Sequence, residues 1–428
     1  MRTRRVALAR FHLPMHGLRC GFKTSPMPSV LETLFANLNA AAAIGKSRVE
    51  TAVSSIRKIS RSAGIAVWPS SHETDFSRRT FVRVAGSVCI AAAFPALAVK
   101  PADMNVRLFA DDGLARYGFP QGHPLGIDRQ GAFLGKAQDL GLLQSVKIGK
   151  GAAATTDVLQ RFHDADYVER VRNAESSGLD YLDWGDTPVF PGIFEASSYV
   201  VGSALTGLDA VMNGECARTF QPIGGLHHAG RGHAAGFCVF NDVGVVIETL
   251  RSRYGVRRIG YVDIDVHFGD GVFYAFEEDP DVIIADIHQD PRTLYPGTGF
   301  SYETGKGRAE GTKLNIPMAP GAGDAEFRKV WPRVEQHLDK FAPEIVLFQC
   351  GADGLRGDPL AQLGYTSATH AYAAKRLIAL SRRCANGRLM AFGGGGYDRT
   401  NVGLAWSAVL GEFLAPDQPR KDVFPAPG

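Results

Sequence analysis

Four short, unbroken apolar runs mark the second half of the chain: 257–264 (R-R-I-G-Y-V-D-I), 282–287 (V-I-I-A-D-I), 344–350 (E-I-V-L-F-Q-C) and 388–392 (R-L-M-A-F). A continuous run of this length, without alternation, is the pattern a strand buried on both faces of a parallel sheet requires. Apolar positions recur at helical spacing in 236–254, 324–341, 367–385 and 401–413. Strands alternating with such stretches predict an α/β fold, a three-layer α/β/α sandwich around a central, mainly parallel sheet. No repeat or long linker divides residues 105–415, so 99–428 is expected to hold one domain.

The residues just after each run carry the chemistry. The first run leads into D-I-D-V-H-F-G-D-G (263–271), the second into H-Q-D-P-R-T-L-Y-P-G-T-G (288–299), the third into G-A-D-G-L-R-G-D-P (351–359) and the fourth into G-G-G-G-Y-D (393–398). Ligand sites of open α/β sheets lie beyond the carboxyl ends of the strands, so these segments should meet on one rim. Asp265 and His267, two apart, can grip one cation from the same side, and Asp353 can supply a third ligand. Two carboxylates and one imidazole leave positions open, as a catalytic zinc requires, and the same O/N set suits Fe(II) or Co(II). The adjacent His227 and His228 have Asp263 and Asp270 at hand, and a carboxylate behind an imidazole fixes its tautomer and raises its basicity. Tyr397, after four glycines, can bring its hydroxyl beside the metal. The glycine run lacks a following G-K-[ST] and no G-x-S-x-G elbow occurs, which disfavours nucleotide-binding and serine-hydrolase chemistry.

Charge changes the picture of the N-terminal part. The chain of 428 residues carries 47 Lys and Arg against 44 Asp and Glu, but 14 and 4 of these lie in residues 1–98, leaving an acidic remainder of 33 and 40. An acidic body excludes electrostatic nucleic-acid binding as the main function. The basic leader contains Arg78-Arg79 and Phe81, an apolar stretch from Val84 to Phe94, and Ala96-Leu97-Ala98. That order predicts a removable export signal of twin-arginine type over about 76–98, hence a periplasmic location; it is too short for stable membrane insertion. The preceding basic, Ala- and Ser-rich residues also suit an organellar transit peptide, or a misplaced start with a cytoplasmic product. Six cysteines show no C-x-x-C spacing, and Cys238 and Cys350 read as small buried hydrophobes.

Taken together, G-G-L-H-H-A-x6-G-F-C-V-F-N-D, Y-V-D-I-D-V-H-F-G-D-G, L-Y-P-G-T-G, Q-C-G-A-D-G-x2-G-D-P and G-G-G-G-Y-D resemble the zinc-dependent histone deacetylase superfamily, which includes acetoin-utilisation proteins and acetylpolyamine amidohydrolases. The resemblance runs over roughly 105–415 and includes Y-G-F-P-Q-G-H-P-L (117–125) and H-D-A-D-Y-V (163–168). It implies an arginase/deacetylase-like fold and zinc held by Asp265, His267 and Asp353. It makes His228, backed by Asp270, the general acid/base, His227, backed by Asp263, an electrostatic partner, and Tyr397 the donor to the substrate carbonyl. Gly236, Phe237, Tyr295 and Gly395 match the walls of a narrow acyl-lysine tunnel, and Asp186 a carboxylate on its rim.

Some positions depart from the family pattern. Phe268 replaces a second His, and Asp286 stands where a Ser often contributes to a structural potassium site near Asp263, Asp265 and His267. Leu360 occupies the rim position where a Glu would mark polyamine selectivity, which leans toward acyl-lysine or another neutral acylated amine. The resemblance therefore implies a zinc amidohydrolase acting on an acetylated lysine peptide or an acetylated small amine. Two rivals stand beside it. A ureohydrolase would want a second metal and a carboxylate where Gly269 stands, and an inactive acyl-lysine-binding protein would have no use for His228, Asp270 and Tyr397. The sequence does not define an oligomeric state.

Overall fold

The computed structural model describes residues 106–120 and 122–417. The expected leader, residues 1–98 with its twin-arginine-type segment, lies outside the described residues.

One eight-stranded sheet organises the described residues. Its strands are β1 (Val106–Phe109), β2 (Lys147–Gly149), β3 (Arg218–Gln221), β4 (Ile259–Asp263), β5 (Val282–Gln289), β6 (Lys313–Met318), β7 (Ile345–Gln349) and β8 (Leu389–Phe392). They lie in the order β2-β1-β3-β8-β7-β4-β5-β6, and every pairing is parallel. The helices longer than a single turn are α1 (Arg129–Asp139), α2 (Ala165–Arg172), α3 (Ile193–Met212), α4 (Asp242–Tyr254), α5 (Asp270–Ala275), α6 (Asp324–Phe341), α7 (Ser367–Cys384) and α8 (Arg399–Leu414). All residues of β4, β5, β7 and β8 are buried, as their unbroken apolar runs predict.

The helices follow their apolar stripes. In α6, Phe327, Trp331, Val334 and Leu338 are buried at spacings of four, three and four, the face an amphipathic helix turns to a core. Glu326 accepts the Gly323 N–H at 2.9 Å, closing the first turn. α7 starts where the Thr366 hydroxyl accepts from Ala368 N, and α8 where the Asp398 carboxylate accepts from Asn401 N. The stretch 236–254 departs from expectation, because its helix begins only at Asp242. Asn241 caps it, with Oδ1 accepting from Gly244 N at 2.8 Å, and Gly236 and Phe237 have φ of 51° and 68°, outside helical space. These apolar residues are used instead as a wall of the site.

Strand ends are aligned. Asp263 pairs in register with Asp286 and with Gln349, and Gln349 with Phe392. The loops after β4, β5, β7 and β8 therefore leave the sheet side by side. From β3 the chain skips two places to β4, runs outward through β5 and β6, and returns to fill the gap with β7 and β8, which places a topological switch point under these loops. Cys216, Cys238 and Cys350 are buried free thiols. Among the described residues no helix is long and apolar enough to cross a membrane.

Candidate active site

Asp265 and His267 sit in the first residues after β4, and Asp353 four residues after β7. One potential ligand atom from each lies within 4.8 Å of the others, and all three residues are buried. His267 Nδ1 is 3.2 Å from Asp265 Oδ1 and 3.1 Å from Asp353 Oδ2. Burial lowers the affinity of His267 for a proton, but the two carboxylates outweigh it and push its pKa up to about 9. The site demands positive charge between its carboxylates, and a divalent cation meets that demand. Glycines make the room: a Cβ on Gly351 would fall 2.0 Å from Asp265 Oδ2, and one on Gly395 2.0 Å from Asp353 Oδ2. The remaining acceptor positions are braced, with Gln349 Nε2 and Gly395 N donating to Asp265 Oδ2 at 2.8 and 2.7 Å, and Val266 N to Asp353 Oδ1 at 3.0 Å.

Two imidazoles stand beside this triad with their rings 4.1 Å apart. His227 Nδ1 lies 2.8 Å from Asp263 Oδ2, which also accepts from the Tyr261 hydroxyl at 2.5 Å. His228 Nδ1 lies 2.6 Å from Asp270 Oδ1. Although chemically alike, the two are driven apart. Burial opposes charge on His227, yet Asp263 and Asp265 prevail and raise its pKa to about 10. Burial, reinforced by the charge on His227, depresses His228 to about 4. A neutral base next to a cation is the division of labour that acid/base chemistry uses.

Tyr397 closes the site. Its ring is 6.4 Å from that of His267 and edge-on to Phe237 at 5.8 Å. Burial, then the charges of Asp353 and Asp265, hold its phenol well above the ordinary value, so it remains a proton donor. Asp358 Oδ2 accepts its backbone N–H at 2.8 Å. The glycine run before it is spanned by the buried Arg129, which donates to the carbonyls of Gly394 and Gly396 at 2.5 and 2.8 Å.

Of the expected wall residues, Gly236 is pressed so close to His228 that a Cβ would lie 2.5 Å from Cδ2, and 3.2 Å from the ring of Tyr295. Tyr295 meets His228 edge-on at 5.1 Å. Asp186 is exposed, beside His123, whose ring packs edge-on against Phe237 at 4.6 Å. Leu360 lies half-buried two residues beyond Asp358. Both oxygens of Asp286 are engaged, Oδ1 with His288 Nδ1 at 2.7 Å and Oδ2 with Gly269 N at 3.0 Å.

Sequence reasoning missed several supports. Gln349 and Arg129 brace the triad and the glycine run, and Tyr117 holds the wall, its hydroxyl donating to Phe237 O at 2.7 Å and accepting from Val239 N at 3.1 Å. His163 accepts from Asn241 N at 2.9 Å, and the Asn241 amide donates to Ala229 O, next to His228. Gln349 alone carried a usable signal, a polar residue at the end of an otherwise apolar strand run.

An all-parallel sheet with a carboxylate–imidazole triad and two His–Asp pairs at its carboxyl edge defines an α/β protein of the deacetylase-like class. Residues 123–413 match the histone deacetylase domain, and the chain belongs to that family. It is 34% identical over 310 residues to the acetoin utilization protein AcuC of Bacillus subtilis (strain 168), covering 70% of this chain and 80% of that one. Over 327 residues it is 31% identical to histone deacetylase RPD3 of Saccharomyces cerevisiae, covering 74% and 73%. The crystal structure of the HDA15 HD domain superposes with a TM-score of 0.67 at 26% identity, covering 73% of this chain and 88% of that one.

Proposed function

We propose that the protein is a zinc-dependent deacylase that hydrolyses the acetyl amide of lysine-like amines. The observation that carries this reading is the convergence of the His228 and Tyr397 rings, 5.8 and 6.4 Å from that of His267, on the buried triad of Asp265, His267 and Asp353. Zinc on that triad would polarise the amide carbonyl and lower the pKa of a water beside it.

The chain's own groups do the rest. With Nδ1 tied to Asp270, His228 has Nε2 free to take a proton from the attacking water as the new C–O bond forms. The same nitrogen then returns a proton to the departing amine as the C–N bond breaks. His227, kept cationic by Asp263, adds positive charge where negative charge develops. Tyr397 donates to the carbonyl oxygen as it becomes an oxyanion, a role worth roughly 3–4 kcal/mol for one such donor. Phe237, Tyr295 and Gly236, packed around His228 and Tyr397, would line the path of the substrate's alkyl chain, and the apolar Leu360 suits a neutral acylated amine. A structural potassium takes no part in these proton transfers; at its expected place Asp286 is hydrogen-bonded to His288 and Gly269.

The test is an activity panel with the zinc-loaded protein on acetyl-lysine peptides, acetylpolyamines and longer acyl-lysines. Acetyl-lysine turnover is expected, falling by at least about a hundredfold in Tyr397→Phe at unchanged zinc content. A wild-type protein that holds zinc and turns over none of the panel would refute the reading.

A further inference from the structure

The strongest unassigned feature is the loop beside the mouth of the passage. Its arms pair at Tyr181 and Pro188, with Leu182 N donating to Thr187 O at 2.9 Å and Val189 N to Asp180 O at 2.8 Å. Between them Asp183 Oδ1 accepts from the backbone N–H of Gly185, Asp186 and Thr187 at 3.0, 2.8 and 2.8 Å, and the Thr187 hydroxyl donates to Oδ2. The tip is thus held by one carboxylate. Thr187 Oγ1 also accepts from Phe237 N at 3.2 Å, which fastens the tip to the wall of the passage.

On this braced tip stands Trp184, 106% exposed, two residues before Asp186. An indole offers about 200 Å² of largely apolar surface, and Trp is ordinarily among the more buried side chains. The loop's hydrogen bonds have already fixed the backbone that carries it, so only the rotamers of the indole itself are left to order on binding. Asp186, two residues from Trp184, lies beside His123, whose ring packs on Phe237, so the remainder of a substrate chain entering beside Phe237 would pass the loop that carries the indole. A free acylated amine has nothing to place there, whereas a polypeptide has the residues on either side of its modified lysine.

We propose that Trp184 is a specificity-determining residue on which the side chain flanking the acylated lysine packs, so that the site selects acyl-lysine within an extended polypeptide over a free acylated amine. This rests on the deacylase reading above. From Asp180 to Asp186 the loop holds three carboxylates, against a neighbouring base, Arg170, which donates to Leu182 O at 3.2 Å, so a flanking arginine or lysine is preferred over a glutamate, its cation lying over the indole face.

The test compares wild type, Trp184→Ala and Trp184→Phe on three substrates: a single capped acetyl-lysine, a tetrapeptide with arginine before the acetyl-lysine, and its glutamate counterpart. Trp184→Ala should lower kcat/KM on the arginine peptide about tenfold, mostly through KM, with at least a fivefold smaller effect on the single residue. Trp184→Phe should retain most of the peptide activity. An equal loss on peptide and single residue, or no loss on the peptide, overturns the proposal while leaving the deacylase reading intact. No turnover of any substrate by wild type overturns both.

Discussion

The Tyr117 hydroxyl clasps the backbone that follows Phe237, donating to the Phe237 carbonyl at 2.7 Å and accepting from the N–H of Val239 at 3.1 Å, across 120 residues of sequence. Phe237 needs this hold, because its φ of 68° is one that side-chain-bearing residues avoid at a cost of about 1–3 kcal/mol. Tyr117→Phe keeps the ring packing and removes only the hydroxyl. It should destabilise the fold by about 2 kcal/mol in chemical denaturation, since two backbone groups lose their partner. KM for acyl substrates should rise more than kcat falls, because the wall loosens while the triad is untouched. An unchanged KM would show that other contacts hold Phe237 in place.

The glycines under the triad make a sharper prediction. In Gly351→Ala the new methyl would meet Asp265 Oδ2 at 2.0 Å, and in Gly395→Ala it would meet Asp353 Oδ2 at the same distance. Either ligand must move, so zinc retained after dialysis against a weak chelator should fall well below one equivalent. Asp265→Ala should lose zinc altogether. If metal analysis found a full equivalent in Asp265→Ala, the ligand set would be wrong.

Gln349 acts one step further out. It donates to Asp265 Oδ2 at 2.8 Å, while its Oε1 accepts from Gly351 N at 2.8 Å. Removing such an orienting partner typically weakens metal binding 10–100-fold. Gln349→Leu is expected in that range, measured by competition with a zinc-binding dye, with less effect on stability than on affinity.

A separate prediction concerns pH. His163 accepts from Asn241 N at Nε2, which leaves its proton on Nδ1 facing Arg231 O at 3.1 Å. Only the neutral ring fits, and burial depresses its pKa to about 4, against 6.5 ordinarily. A folded value below the unfolded one stabilises fully above pH 6.5 and is lost as pH falls from 6.5 toward 4. The contribution at stake is about 3 kcal/mol. In the presence of chelator, wild type should lose more unfolding free energy between pH 7 and pH 4.5 than His163→Gln, whose amide can make both hydrogen bonds. Parallel curves for the two proteins would remove His163 as a source of the pH dependence.

The parts of this molecule legible in the sequence are those fixed by short-range pattern. The apolar runs located β4, β5, β7 and β8 to within two residues, because burial on both faces leaves little choice of residue. Asp265, His267 and Asp353 were legible as candidate ligands from strand ends, a two-residue spacing and the family resemblance, and the structure brings the three side chains together. The supports were not, since their partners are distant: Gln349 and Asp265 are 84 residues apart, and Arg129 and Gly396 are 267 apart. Nor could spacing show that the apolar stretch 236–241 is no helix, because its conformation is imposed by Tyr117 and Thr187 from elsewhere in the chain.

The registered strand ends have a consequence for how the site wears. Asp263 and Gln349 face each other across a parallel ladder, whose spacing is set at about 4.8 Å by main-chain hydrogen bonds. The bases of the β4 and β7 ligand segments are therefore spaced by the backbone lattice, while side chains such as Gln349 aim the ligands beyond it. Heating should leave metal geometry intact until the central strands themselves part. Loss of bound zinc and loss of the sheet would then be one event, with a shared midpoint.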